Sequence, residues 1–207
     1  MTWHNHVATV ITKASKRINI LRRIRHLLPR SALDQLYKTM IRPILEYGGI
    51  IFDNLADNLV DKLETTQSSA ALACTGAYRH TDKDKLIKEV GWEPLQIRRK
   101  YQRLVLFYKI QKGLTPTYLS TLVNLRDLDD NRRRLRNERE IEVPHARIIR
   151  YFDSYILKTG RDWNKIDPLI RKADSLDQFK NLLKKTYYYP QNKLYQHGHG
   201  PAAINRS

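Results

Sequence analysis

The sequence has little cysteine, little glycine and proline, and no long apolar run. Cys74 is the single cysteine among 207 residues, which excludes an internal disulfide and a multi-cysteine zinc module and fits a reducing, intracellular setting. No apolar run approaches the roughly 18 residues of a membrane span. Residues 7–11 are too few for a signal-peptide core and are followed by cations. We therefore expect a chain of the nucleus or cytoplasm without a membrane partner.

Acidic side chains are missing from two stretches of this basic chain, whose formal net charge is +17. Residues 1–30 carry seven Lys or Arg and no Asp or Glu, and residues 94–113 carry six and none. Between them, residues 31–93 carry seven basic and ten acidic side chains. Clustered cations favour binding to phosphates at low salt. The charge pattern therefore favours a nucleic-acid partner, and a solvated surface without a partner is the alternative.

The residue patterns of common catalytic and metal sites are also missing. There is no glycine-rich phosphate loop and no glycine-framed nucleophile turn. The histidine pairs lie near the termini, and Cys74 has no partner at metal-ligand spacing. Asp129 and Asp130 form the only Asp-Asp pair, but an arginine run follows them in place of an apolar strand. We predict no catalytic residue, no metal site and no cofactor in this chain.

Apolar periodicity predicts a mostly α fold, a helical bundle followed by a basic arm and a smaller helical segment. The bundle covers residues 1–123, the charged arm residues 124–150, the C-terminal helical segment residues 151–189, and a disordered tail residues 190–207. Helices are expected at residues 5–28, 32–52, 56–75, 81–90, 95–112 and 117–123. Further helix is expected within residues 151–166, and a final helix at residues 175–186.

Local signals add detail to these helices. Ser31, Thr81 and Ser175 each precede an acidic or amide side chain by three residues, which predicts N-terminal caps. Pro43 predicts a kink or short break, which would free Arg42 to pair with Glu46 or with phosphate. Trp92 is expected to fill the core between helices in preference to forming a base-stacking platform.

The residue pattern of the predicted helix at residues 95–112 distinguishes an inward apolar face from an outward charged face. Its expected inward stripe is Ile97, Tyr101, Leu104, Val105 and Tyr108. Its cations, Arg98, Arg99, Lys100, Arg103, Lys109 and Lys112, are expected on the remaining surface. In the first helix Arg25 interrupts the apolar face, and the other cations lie elsewhere on the cylinder, where they could follow a phosphate backbone.

Many short sequence words, in order, resemble the region that follows the catalytic palm in reverse transcriptases of non-LTR retrotransposons, the jockey-like LINE elements. The resemblance covers roughly residues 2–185. It is carried by Thr2-Trp3 with His6, Lys13-Ala14, Tyr37 with Ile41-Arg42-Pro43-Ile44-Leu45-Glu46-Tyr47-Gly48, Lys62-Leu63-Glu64 with Gln67, Gly76, Gly91-Trp92-Glu93-Pro94-Leu95 with Arg98-Arg99, Gly113, Pro116, Tyr118-Leu119, Leu135-Arg136-Asn137, Phe152, Ser154, Trp163-Asn164 and Phe179-Lys180.

The resemblance implies a thumb-like bundle that grips the backbone of a primer–template RNA–DNA hybrid, with a downstream segment. The catalytic Tyr-x-Asp-Asp hairpin of the family's palm is missing here, so the chain alone is not expected to polymerise DNA, although the intact family enzyme, an RNA-directed DNA polymerase, would use Mg²⁺. The candidate nucleic-acid-binding residues are Lys13, Lys16, Arg17, Arg22, Arg23, Arg98, Arg99, Arg103, Arg132, Arg133 and Arg134. The arginines of the arm also fit a nuclear-localisation-like run.

Two further hypotheses stay open at this point. Met1 could be an internal start, in which case the chain is the C-terminal part of an intact reverse transcriptase. Alternatively, the chain is a non-functional helical remnant or an interaction scaffold whose charge is incidental. If the palm is a missing partner, part of the first helix's apolar stripe is expected to be uncovered, which would favour self-association.

Overall fold

Helices joined by short turns form the computed structural model, which describes residues 3–78, 80–121, 141, 143 and 147–187. The mostly helical fold class predicted from the sequence is confirmed. In the first half of the chain the helices are α1 (His4–Ile24), α2 (Arg30–Leu36), a π-helical turn (Tyr37–Ile41), α3 (Arg42–Glu46), α4 (Asp57–Thr75), α5 (Lys83–Val90) and α6 (Leu95–Gln111). The second half contains α7 (Thr117–Ser120), α8 (Ile149–Phe152), α9 (Tyr155–Asn164), α10 (Pro168–Arg171) and α11 (Leu176–Tyr187).

The effect of Pro43 lies one turn before the proline. Proline has no N–H to donate to the carbonyl of Thr39, so regular α-helical pairing fails there. The chain widens instead into the π-helical turn, in which the Arg42 N–H donates to the carbonyl of Tyr37 five residues back. The predicted long helix over residues 32–52 is therefore three short pieces, and Gly48, with φ of 70°, turns the chain after α3.

Two apolar clusters make up the core. The first contains side chains from α1, α2, the π-helical turn, α3, α4, α5 and the first residue of α6. The second contains α6 residues from Leu104 onward together with residues of α9, α10 and α11. Helix α6 therefore belongs to both clusters, so most of its circumference faces protein. No helix of the described residues is long and apolar enough to cross a membrane.

The apolar stripe predicted for the first helix, Val7, Ile11, Ala14, Ile18, Leu21 and Leu28, is covered for most of its length within the chain. Val7, Ala14, Ile18 and Leu21 are buried, whereas Ile11 is only partly buried and Leu28 is 37% exposed, so part of the stripe stays uncovered. Helix α4 packs against α1 and buries several alanines, whose small side chains let the two helix axes approach. Packing by α4 therefore covers the middle of the stripe and leaves its end at Leu28 exposed.

Trp92 fills the first cluster, as predicted. Its ring stacks on Tyr37 with centroids 3.5 Å apart and planes 12° from parallel. Its Nε1–H donates to Asp34 Oδ1 at 2.6 Å, and Lys38 Nζ lies 2.7 Å from Asp34 Oδ2. Asp34 thus supports the core stack and does not cap α2. That helix begins at Arg30, with Ser31 inside it and Pro29 at its N-cap, so the predicted Ser31 cap is wrong.

The other two predicted caps have different outcomes. Helix α5 is capped by Asp82, whose Oδ1 accepts from the Lys85 N–H at 3.0 Å, so the assignment to Thr81 is wrong by one residue. Ser175 caps α11 as predicted, because its Oγ accepts from the Gln178 N–H at 3.2 Å. The predicted arm and tail fall mainly on residues 122–140 and 188–207, which lie outside the described residues.

Asp34 provides a pH-dependent test of the first cluster. Burial raises the pKa of this carboxyl, but hydrogen bonds from Lys38 and Trp92 outweigh burial, so the pKa is lowered in the folded protein. A lowered pKa contributes stability above the unfolded-state pKa, and this contribution is lost as pH falls through the folded-state pKa. We expect Asp34→Asn to lower the free energy of unfolding at about pH 7 by roughly 1–2 kcal/mol and to cost less at about pH 2.

The measurement is urea unfolding followed by circular dichroism across this pH range. Asp177→Asn is the matched control, because Asp177 is an exposed carboxylate whose one ion pair among the described residues is with Lys180 at 3.4 Å. If Asp34→Asn lowers the free energy of unfolding by the same amount at both pH values, the negative charge of Asp34 does not contribute to stability.

Candidate nucleic-acid interface

A row of cations lies on the outer face of α1. Residues three, four and seven apart share one face of a helix, and Lys13, Lys16, Arg17 and Arg23 follow this spacing. Lys16 and Arg23 lie opposite the buried stripe, and Lys13 and Arg17 lie at its border. All four side chains are exposed, and we call them the α1 basic face. From Lys13 to Arg23 the helix rises about 15 Å. The face is long enough to contact several successive phosphates of one strand.

No carboxylate neutralises the α1 basic face within the part of the chain that the structure describes. The sequence has no Asp or Glu before Asp34. Among the described residues the four side chains form no ion pair within 4.0 Å. Arg22, a fifth predicted residue, is also exposed but lies on the flank of α1, where its guanidinium donates to Asn19 Oδ1 at 3.3 Å. The positive charge of α1 therefore faces solvent.

The cations of α6 are placed differently from the prediction. Arg99 and Arg103 were expected on the outer surface, but their side chains are 2% and 1% exposed, and Arg98 is also largely covered. The expectation that these three arginines face outward is wrong. The physical reason is that α6 is packed on both sides, by the first cluster at its start and by the second at its end.

Asp53 is the main partner of the buried arginines. Its carboxylate accepts a hydrogen bond from Arg103 Nη1 and lies 3.6 Å from Arg99 Nε. Lys158 of α9 also reaches it, with Nζ 3.0 Å from Asp53 Oδ2 and 2.7 Å from the Asp53 carbonyl oxygen. Asp53 therefore joins the loop after α3 to both α6 and α9.

Two further carboxylates, Asp162 and Glu46, also accept hydrogen bonds from arginines of α6. Asp162 of α9 accepts from Arg103 Nη2, and Lys100 Nζ lies 3.6 Å from it. Glu46 at the end of α3 accepts from Arg98 Nε and from Gln102 Nε2, the latter at 3.2 Å. Glu46 thus pairs with Arg98 of α6, whereas the sequence had offered Arg42 as its partner. We call Asp53, Arg99, Arg103, Lys158 and Asp162 the buried ion-pair network.

Gly49 and the carboxylate of Glu64 help to set how closely α6 packs against the loop after α3 and against α4. A Cβ at Gly49 would lie 3.2 Å from Arg99 Cγ and 3.1 Å from the carbonyl oxygen of Glu46, so a larger residue here would require the arginine stem or the backbone to shift by a few tenths of an ångström. Glu64 of α4 accepts from the N–H groups of Leu95 and Gln96, at 3.2 and 2.8 Å, and so caps the start of α6. Gly48 therefore turns the chain after α3, and Gly49 allows the close contact with the Arg99 side chain.

Burial changes the electrostatics of Arg99. Removal from water lowers the pKa of its guanidinium, while the carboxylates of Glu64, Asp53 and Glu46 act in the opposite direction. A buried cation of this kind is stable only when it is paired. These arginines are engaged by protein carboxylates and are positioned to hold helices together.

The burial of Arg99 and Arg103 could have been predicted from the sequence if a different face of α6 had been taken as the inward one. Arg99 and Arg103 continue, at intervals of four, the line that begins at Leu95 and ends at Phe107 and Ile110. The prediction placed the stripe on Ile97, Tyr101, Leu104, Val105 and Tyr108. Leu104 and Tyr108 are buried as predicted, whereas the other three are only partly buried, and the line that carries the two arginines was missed. The partners Asp53, Asp162 and Lys158 carry no sequence signal, because they lie about 50 residues or more from Arg103.

A small cavity adjoins the buried ion-pair network. Its volume is about 30 Å³, and it is lined by Ile50, Ile51, Asp53, Asn54, Arg103, Asp153, Tyr155 and Lys158. This volume accommodates a water molecule but no nucleotide. The buried hydroxyl of Tyr155 has no hydrogen-bond partner among the described atoms, and burial raises its pKa. The cavity is therefore large enough for a water molecule next to the ion pairs and too small to be a nucleotide pocket.

The remaining predicted site residues and the metal question fall partly outside the structure. Arg132, Arg133 and Arg134, with the pair Asp129 and Asp130, lie outside the described residues. Within the described ranges no group of three or more His, Cys, Asp or Glu side chains is arranged to hold a metal ion.

Comparison with protein-family models, with curated proteins and with solved structures finds no significant match for this chain.

The buried ion-pair network can be tested through Arg103. Truncation to alanine leaves Asp162 with only the more distant Lys100 and opens a void, so we expect Arg103→Ala to lower the free energy of unfolding by roughly 3–5 kcal/mol. Arg103→Met keeps the aliphatic volume but also leaves carboxylates short of a partner, and should cost about as much. The measurement is urea unfolding at neutral pH.

The control for this test is Arg23→Ala, which removes one arginine from an exposed helical site. Its effect should be within about 0.5 kcal/mol, as for most surface substitutions. Equal and small effects for Arg103→Ala and Arg23→Ala would show that the network contributes little to stability.

Proposed function

We propose that this chain is a nucleic-acid-binding, thumb-like region of a non-LTR retrotransposon reverse transcriptase, which grips the backbone of a primer–template duplex through the α1 basic face. The observation that carries the proposal is the exposed row of Lys13, Lys16, Arg17 and Arg23, with no carboxylate beside it among the described residues. The retrotransposon assignment rests on the ordered sequence words described above, and the helical fold is compatible with a thumb.

The chemistry of the face fits backbone recognition. Phosphate contacts from Lys and Arg position a protein on nucleic acid without reading sequence. Reading bases in a duplex requires a rigid element in a groove with amide or guanidinium groups placed against base edges. The α1 basic face has two flexible lysines and two arginines on the outside of a helix, with Ile20 exposed between them. This arrangement follows a strand of phosphates and supplies affinity that is independent of sequence.

The buried arginines limit the surface available for this function. Because Arg99 and Arg103 are engaged by Asp53 and Asp162, they contribute to the position of α6 and are not available to phosphates. The proposal therefore concentrates duplex binding on α1. No reaction is assigned to the chain itself, and in an intact enzyme the palm would supply catalysis and the Mg²⁺ site.

A helical scaffold without nucleic-acid function is the competing proposal. One observation favours it, namely that much of the charge on α6 is used in internal ion pairs. A scaffold would bind nucleic acid only as any polycation does, with affinity that depends on net charge and not on which cations are present. The two proposals therefore differ in whether the position of the charge matters.

The test is fluorescence-anisotropy titration of a labelled RNA–DNA hybrid over a salt series. Each phosphate contact contributes about 0.9 to the slope of log affinity against log salt. Replacing the whole α1 basic face by glutamine should reduce this slope by about 3–4 and weaken binding more than tenfold. The variant is Lys13→Gln, Lys16→Gln, Arg17→Gln and Arg23→Gln combined.

The matched control removes four positive charges elsewhere on the surface, from exposed lysines of α5 and α11. It combines Lys85→Gln, Lys88→Gln, Lys184→Gln and Lys185→Gln. We expect the control to retain most of the affinity for the hybrid and most of the salt slope. Equal losses in the two variants would contradict the proposal and favour the scaffold, because charge alone would then explain binding.

A further inference from the structure

Two aromatic side chains are exposed together on α8, far along the chain from the α1 basic face. Tyr151 is 50% exposed and Phe152 is 46% exposed, and Ile148 beside them is 67% exposed. Large apolar groups are usually withdrawn from water unless they meet a partner. Elsewhere in the second cluster the aromatic rings of Phe107, Trp163 and Phe179 are buried against one another. The α8 rings are left out of this core.

One face of the Phe152 ring is occupied by a cation. The guanidinium carbon of Arg161 lies 3.4 Å from the ring centroid, directly over the ring. Arg161 Nη2 lies 3.8 Å from Asp153 Oδ1, a contact that helps to hold the guanidinium in place. Phe152 is 46% exposed with this cation in place, so its ring keeps area on which a flat molecule can stack while Arg161 supports it.

The charge around these rings selects the kind of partner. Residues 147–161 contain four Lys or Arg side chains, of which Lys158 is engaged by Asp53, and one carboxylate, Asp153, which already contacts Arg161. Arg147 is exposed. A second copy of this chain would bring the same positive charge to the contact, so self-association through this surface is disfavoured. A partner that offers flat π faces and negative charge together is complementary to it.

We propose that Tyr151 and Phe152, with Arg161 against Phe152 and the exposed Arg147 four residues before Tyr151, form a stacking site for single-stranded nucleic acid. We call this surface the α8 aromatic patch. Unpaired bases stack on exposed aromatic rings, and the flanking arginines meet the phosphates of the same strand. The site is tolerant of base identity, because every base has a π face.

The α8 aromatic patch is specific for unpaired strands on geometric grounds. In a duplex each base is already stacked on its neighbours, so its faces are not open to a protein ring. A single strand can turn its bases outward and offer these faces. The inference rests on the proposed function in taking nucleic acid as the partner, but it concerns a different strand state and different residues from the α1 basic face.

The experiment measures binding of labelled single strands, an oligo-dT and an oligo-rU, to the full chain by fluorescence anisotropy. We expect Tyr151→Ala and Phe152→Ala each to weaken single-strand binding by roughly 5- to 100-fold, the effect of losing one stacked base. Binding to the RNA–DNA hybrid should change less than about twofold. Tyr118→Ala is the matched control, because Tyr118 is 66% exposed and lies on α7. It should leave single-strand binding unchanged.

A second variant reports on stacking directly and guards against loss of folding. Tyr151→Trp keeps a large ring at the site, so it should retain single-strand affinity. Its indole emission, taken as the difference from the wild-type chain, should be quenched on addition of oligo-dT. A retained affinity without quenching would place the strand elsewhere and overturn the proposal.

Other outcomes also decide between the proposals. If Tyr118→Ala weakens single-strand binding as much as Tyr151→Ala, or if the wild-type chain binds no single strand, the α8 aromatic patch is not a stacking site. Failure of the α1 basic face variant to affect hybrid binding would overturn the proposed function alone. Loss of single-strand binding in Tyr151→Ala would still stand in that case, so the two failures are distinguishable.

Discussion

The position of Arg103 between Asp53 and Asp162 is the interaction on which the arrangement of the helices depends. A guanidinium that is 1% exposed must have its charge compensated, since an unpaired buried cation is strongly unfavourable. Asp53 comes from the loop after α3 and Asp162 from α9, so compensation requires both elements to meet α6. Apolar contacts supply the bulk of the burial in the two clusters. The ion pairs specify which elements meet, because each guanidinium accepts only a few geometries.

The need to pair buried arginines separates the cations that hold helices together from the cations that remain open to a partner. Arg98, Arg99 and Arg103 of α6 are drawn into the interior, where they are balanced by Glu46 and Asp53 from the acidic middle of the chain and by Asp162 of α9. The cations of α1 lie on a helix whose inner face is satisfied by α4, and the described residues bring no carboxylate to its outer face. In this chain of net charge +17, much of the positive charge that is not used in internal ion pairs therefore lies on the outer surface. The two proposed nucleic-acid sites lie on that surface, one for backbone and one for unpaired bases.

Local sequence signals predicted the elements better than their contacts. The helices α4 and α6 and the Ser175 cap agree with the structure because each depends on residues within a turn or two. The Ser31 cap failed because Asp34 bonds to Trp92, which is 58 residues away. The outer placement of Arg99 and Arg103 failed for the same kind of reason. A cation on a predicted amphipathic helix was taken as exposed, although partners distant in sequence could bury it.

The sequence by itself determined the mostly helical class, the approximate helix positions and the outward row of cations on α1. These follow from apolar periodicity and from the lack of any acidic residue before Asp34. Only the tertiary structure decided that α6 is enclosed by two clusters, that its arginines are internal, and that Tyr151 and Phe152 stay exposed beside Arg161. The physical reason is that burial of a charge or exposure of a ring is a property of its neighbours. Those neighbours come from parts of the chain that periodicity does not connect.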